Sequence, residues 1–220
     1  MELGTWADWL SSVSNLIVAA AAGLAAIQGT RSLSAWRSET LGRKKIELAE
    51  EVLADFYEAR DIFRWIRSPS AYTSEIESRP ERGVDEREDV KNHRDTFFVP
   101  LKRLSDHSDF FARLRARRYR IIASFGIEAA KPYEELHSVQ VEVQVAARTL
   151  MRIGPKGRRE STEKYEAIVW EGYPTGDKIS ERIDALVASV ENQFRSEILE
   201  VNKKHLGMFE KILLRLTGRG

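Results

Sequence analysis

A chain of 220 residues is long enough for one sizeable core, or one core with an appendage, and too short for three independent domains. Its 31% charged and 42% hydrophobic residues exclude a disordered chain. Lys and Arg total 35 against 34 Asp and Glu, so no global field recruits nucleic acid or anionic lipid. The absence of cysteine excludes a disulfide framework, a thiolate metal site and a thiol nucleophile.

The first element opens with 22 uncharged residues, Trp9 to Thr30, which as a helix rise about 33 Å, close to the hydrocarbon thickness of a bilayer. The continuous apolar part is only Leu16 to Ile27, and Ser11, Ser12, Ser14 and Asn15 dilute the first half. Leu10, Val13, Leu16, Ile17, Val18, Leu24 and Ile27 together favour insertion by about 2 to 4 kcal/mol before the polar residues are subtracted.

The flanks favour a membrane span. Trp6, Trp9 and Trp36 bracket the segment as interfacial rings do. Glu2 and Asp8 precede it, whereas Arg31, Arg37, Arg43, Lys44 and Lys45 follow, which predicts an outside amino terminus and a cytoplasmic remainder. The acidic start argues against a cleaved signal peptide. The rival reading, drawn from the alanine-rich composition, is a core helix of a soluble bundle. Ala19 with Gly23, and Ala22 with Ala26, form small-xxx-small pairs that permit close helix packing, and Asn15 can bond across such an interface, so self-association is expected.

No proline precedes Pro69, so the same helix is expected to continue through Trp36 to "RSPSAY", with Ile46, Ala49, Leu53, Phe56 and Phe63 at helical spacing and Val52, Tyr57, Ala59 and Ile66 widening the stripe. Residues 68–84 read as an irregular connection containing Pro80 and Gly83. A helix resumes around Asp85 with Val90, Phe97, Phe98, Leu101 and Leu104, kinked at Pro100. Another starts near His107 and stops near Gly126, carrying Phe110, Leu114, Ile121 and Phe125.

"SVQVEVQVAA" alternates as a strand does, yet Leu136, Val139, Val143, Ala146, Leu150 and Ile153 keep helical spacing over a longer window between Pro132 and Gly154. A helix is expected. Residues 154–176 read as irregular, with Ile168, Val169 and Trp170 docking on the bundle. A final helix of about 40 residues begins after Thr175.

The expected fold is all-α: a single transmembrane helix over 9–30 after a short extracytoplasmic terminus (1–8), then a cytoplasmic, elongated antiparallel bundle over 31–220 with long coiled-coil-like helices.

Candidate chemistry is sparse. "YEELH" places Glu134 and His137 at the Glu-x-x-His spacing that supplies two metal ligands on a bundle helix, but no second such pair exists. "SDHSD" gathers hydroxyl, carboxylate and imidazole, and its Ser105 or Asp106 suits a helix cap better than a triad. His205 falls on the apolar stripe of the last helix. No phosphate loop, zinc helix or nucleophile elbow occurs, so no cofactor is expected. "RLRARRYR" places Arg113, Arg115, Arg117, Arg118 and Arg120 within eight residues. This basic patch suits anionic headgroups or an acidic partner, or else a solvated face paired with neighbouring carboxylates.

These readings converge on a membrane-anchored helical interaction module, a scaffold, sensor or regulatory subunit without catalysis of its own. Its expected partners are membrane lipid and either a second copy or another protein. The alternatives are a soluble bundle metalloprotein using Glu134 and His137, or an adaptor binding nucleic acid or anionic partners through the arginine-rich helix. The near-neutral charge weighs against nucleic acid.

Overall fold

The computed structural model describes residues 3–80, 83, 86–173 and 176–216, giving the backbone alone for 3–13, 15–17, 20, 31–32, 34–35, 197 and 200–216. Among the described residues all regular structure is helical: α1 (Leu3–Arg67), α2 (Thr73–Glu77), α3 (Glu88–Asp106), α4 (Ser108–Phe125), a 3-10 turn (Ile127–Ala130), α5 (Lys131–Ile153), α6 (Arg159–Val169) and α7 (Lys178–Leu216). The chain divides into two units, residues 1–47 with 201–220, and residues 48–200.

The second unit is a helical bundle. Ala49, Val52, Phe56, Ala59, Phe63 and Ile66 of α1 alternate three- and four-residue steps and are all essentially fully buried, so one stripe of the helix faces the core from 49 to 66. Leu136, Val139 and Val143 of α5 and Ile183, Val187, Val190 and Phe194 of α7 complete the same core. Phe125 meets Phe194 edge to face at 5.1 Å. A second cluster gathers Phe97, Ala146, Ala147, Leu150 and Val169 where α3, α5 and α6 meet. The valine alternation is resolved in favour of the helix: Val139 and Val143 are buried, while Val141 and Val145 face outward on α5.

Helix ends follow local chemistry. α1 stops before Pro69, with Arg64 and Arg67 in its last turn, where cations complement the helix dipole. α5 starts with Pro132 in its first turn and ends at Gly154, whose φ of 71° and ψ of −177° suit glycine almost alone. Pro100 lies inside α3 and is buried.

Two stretches read as irregular contain helix. Residues Thr73–Glu77 form α2, and Arg159–Val169 form α6. In α6 the pair Arg159 and Glu163, 2.7 Å apart, supports the helix while Val169 is buried in the second cluster. The Ser105 or Asp106 cap is not made. His107 occupies the cap position of α4 without a side-chain capping bond, and Asp106 pairs with Lys102 instead.

In the first unit, residues 18, 19 and 21–30 of α1 are exposed without exception. Among the described residues no helix is long and apolar enough to cross a membrane, so the expected transmembrane helix over 9–30 gains no support there. The described part of that stretch is mostly alanine and glycine, with Val18, Leu24 and Ile27 its bulky apolar side chains. The side chains of Trp6, Trp9, Asn15, Leu10, Val13, Leu16 and Ile17 lie outside the described residues, as does that of His205.

Candidate functional site: an arginine-lined groove on the bundle

The most buried polar groups of the second unit are arginines that fasten loops. Arg103, fully buried on α3, uses every N–H it has. It grips the Glu75 carboxylate at 2.7 and 2.9 Å and donates to the carbonyls of Trp65, Ser68 and Ser70 at 2.7, 3.0 and 2.6 Å. Its guanidinium also stacks 4.1 Å from the Trp65 ring centroid. The hydrogen bonds from Arg103 hold the Glu75 carboxyl below its ordinary range against the opposing effect of burial.

Arg67, 1% exposed, closes α1 onto the connection before α7. It donates to the carbonyls of Ile168 and Trp170, each at 2.9 Å, to Ser180 Oγ at 2.8 Å and to Asp177 at 2.7 Å. Burial pushes the Asp177 carboxyl up. Hydrogen bonds from Arg67 and from the backbone N–H groups of Ser180 and Gly172 outweigh that and hold it at about 2. Arg79 is likewise buried against Glu86 and Asp95. These arginines fasten the fold, with their guanidinium N–H groups spent on carboxylates and carbonyls of neighbouring segments, and Arg79 also lines the edge of a cleft.

The arginine-rich segment of α4 divides by function. Arg117 turns toward α1, 2.5 Å from Asp55 and 3.6 Å from Glu51, and Arg120 reaches Glu51 at 3.4 Å. Burial lifts the Asp55 carboxyl above its usual range, with Arg117 pulling the other way. Arg113 lies over the Phe110 ring at 5.8 Å. Arg118 meets Glu134 at 3.4 Å. Among the described residues Arg115 bonds only the amide oxygen of Gln140, at 3.5 Å. The five arginines therefore meet different partners.

Glu134 and His137 are both exposed on α5, and the nearest polar partner of His137 is the Gln140 side chain, 3.4 Å from Nδ1. Among the described residues no group of three or more His, Asp or Glu side chains converges as metal ligands do. Tyr133 beside them is buried, and its hydroxyl has no hydrogen-bond partner among the described residues. Burial pushes that hydroxyl's pKa up, and the nearby Asp55 carboxylate adds to the effect.

The structure brings together a constellation that the sequence reading missed. Three adjoining depressions follow one face of α5 where it meets α3 and α4. The first, a cavity of about 110 Å³, includes Arg115, Arg118, His137 and Gln140. The second, about 270 Å³, shares Arg115 and Gln140 with the first and adds Ser105, Gln144 and Arg148. The third, an open cleft of about 470 Å³, shares Arg148 and Leu101 with the second and is walled by Arg79, Arg94 and Arg152 over Phe98 and Met151.

Shared lining residues make the three depressions one groove. Glu86 answers both Arg79 and Arg94. Arg115, Arg148 and Arg152 meet no carboxylate among the described residues. The signal was present in the sequence as Gln140, Gln144, Arg148 and Arg152 at strict four-residue steps, one side chain per turn along a single face.

Comparison with family models, with curated proteins and with solved structures finds no match to this chain.

Proposed function

We propose that the chain is a membrane-anchored helical interaction module, a scaffold, sensor or regulatory subunit whose anchor is the alanine-rich part of α1. The supporting observation is the exposure of Val18, Leu24 and Ile27 at 64%, 63% and 50%, with every described residue between them exposed as well. A helix that served as the core of a soluble bundle would bury these side chains against its own chain, whereas lipid solvates them without any protein neighbour.

Trp36, 62% exposed, then sits where an interfacial ring belongs, and the exposed Arg37, Arg43, Lys44 and Lys45 follow on the cytoplasmic side. A side chain added at Gly23 would meet nothing within 4 Å, which supports packing of the Ala19–Gly23 and Ala22–Ala26 pairs against a second copy. The bundle over 48–200 supplies the binding surface of the module.

The chain's lack of cysteine makes it a ready background for topology mapping. Single replacements Glu2→Cys and Ser161→Cys, probed with a membrane-impermeant maleimide on intact spheroplasts, are expected to label at position 2 and stay unlabelled at 161 until lysis. Carbonate-washed membranes should retain the protein. Recovery of the full-length chain in the soluble fraction would refute the anchor.

A further inference from the structure

The groove along α5 combines two chemistries. Its floor is aliphatic and aromatic, with Leu101 and Met151 at the edge of the second hydrophobic cluster and Phe98 lining the cleft beside them. Its walls carry Arg115, Arg148 and Arg152, which meet no carboxylate among the described residues. From Glu134 to Arg152 it follows α5 for roughly 27 Å, too long and open to enclose a small metabolite, which is bound by being surrounded.

The spacing fits an extended chain. Gln140, Gln144, Arg148 and Arg152 recur about every 6 Å along α5, and alternate side chains of an extended peptide recur about every 6.6 Å. Carboxylates two residues apart can therefore meet Arg148 and Arg152 in turn, as forked charge-assisted pairs, while the glutamine amides take backbone groups. Single-stranded nucleic acid also carries spaced anions, but it gains its affinity from exposed aromatic faces that stack bases. This floor is mainly aliphatic, and the whole chain is at +1.

We propose that this groove is the docking site for an acidic, partly apolar segment of a partner protein, bound in extended form. The proposal rests on reading the bundle as a binding module and is independent of the anchor.

Fluorescence anisotropy with the full-length chain in mild detergent tests it. The probe is a labelled peptide of about eight residues, the extended length of the groove, alternating glutamate and leucine. Binding should weaken steadily with salt. The double variant Arg148→Glu with Arg152→Glu should lower affinity at least about tenfold, and Arg148→Gln with Arg152→Gln by a smaller factor. The same reversal at Lys131 and Lys178, exposed and outside the groove, should leave affinity within about twofold.

Equal binding of a glutamine-for-glutamate peptide would overturn the proposal, as would indifference to both arginine pairs. Tighter binding of an oligothymidylate of similar length would also overturn it, in favour of nucleic acid. Because carbonate extraction reports on the anchor alone, a soluble protein that still binds the peptide would refute the anchor and spare the groove. A membrane-retained protein that ignores the peptide would do the reverse.

Discussion

Replacing Arg67 with methionine keeps most of the side chain's length and removes its guanidinium. The carbonyls of Ile168 and Trp170 then lose the Arg67 donor, and the Asp177 carboxylate, whose side chain is 14% exposed, loses its cationic partner and keeps the donors from Ser180 and Gly172. Breaking a buried pair by removing one partner costs about 3 to 5 kcal/mol, a large part of the roughly 5 to 15 kcal/mol that holds a domain folded. For a unit of this size the melting temperature should fall by about 10 °C.

The pH dependence provides an independent check. Asp177 has a folded pKa of about 2 against an ordinary 3.8, a depression that contributes about 2 kcal/mol. That stability is fully present above the unfolded value of 3.8 and is lost as pH falls through 2. In Arg67→Met the carboxyl moves back toward its ordinary value, and this segment of the pH profile flattens. Guanidinium unfolding of the full-length protein in detergent, followed by circular dichroism from pH 2 to 7, measures both effects. A loss under about 1 kcal/mol, or an unchanged acid limb, would refute the account of Arg67 as the fastener of the α7 connection.

Arg103→Leu should release residues 68–77, because it removes the donor to three carbonyls and to Glu75 at once; limited proteolysis is then expected to cut this segment in the variant and spare it in the native protein. Tyr133→Phe should stabilise by about 1 kcal/mol, since it deletes a buried hydroxyl without a partner, and chemical denaturation that shows a loss instead would reveal a bond to that hydroxyl. Gly154→Ala should cost about 1 to 3 kcal/mol, because its backbone conformation suits glycine almost alone, and an unchanged melting temperature would contradict that.

The helices were legible wherever one face carried the pattern. On α1 and α5 the three- and four-residue steps of apolar side chains coincide with the buried stripes, and Pro69, Pro132, Gly126 and Gly154 mark ends at or near those observed. On α1 the middle of the stripe and its margin exchange places: Ile46 and Leu53 are only partly buried, while Val52 and Ala59, read as widening the stripe, are fully buried. α6 was illegible because its apolar residues cluster at one end, leaving the remainder to read as a charged loop. The arginine run was legible as a motif, but its partition was not, because Glu51, Asp55 and Glu134 come from two other helices.

What the sequence determined by itself is the local order of the chain, an all-helical course with its breaks, since periodicity, proline and glycine act within a few residues. Which charges are satisfied is a tertiary matter. Arg67, Arg103 and Arg117 are fastened by groups distant along the chain, while Arg148 and Arg152, chemically the same, meet no carboxylate among the described residues and wall a groove. A guanidinium's role depends on what lies within about 3 Å of it, and for these residues those neighbours are set by the packing of helices rather than by adjacency along the chain.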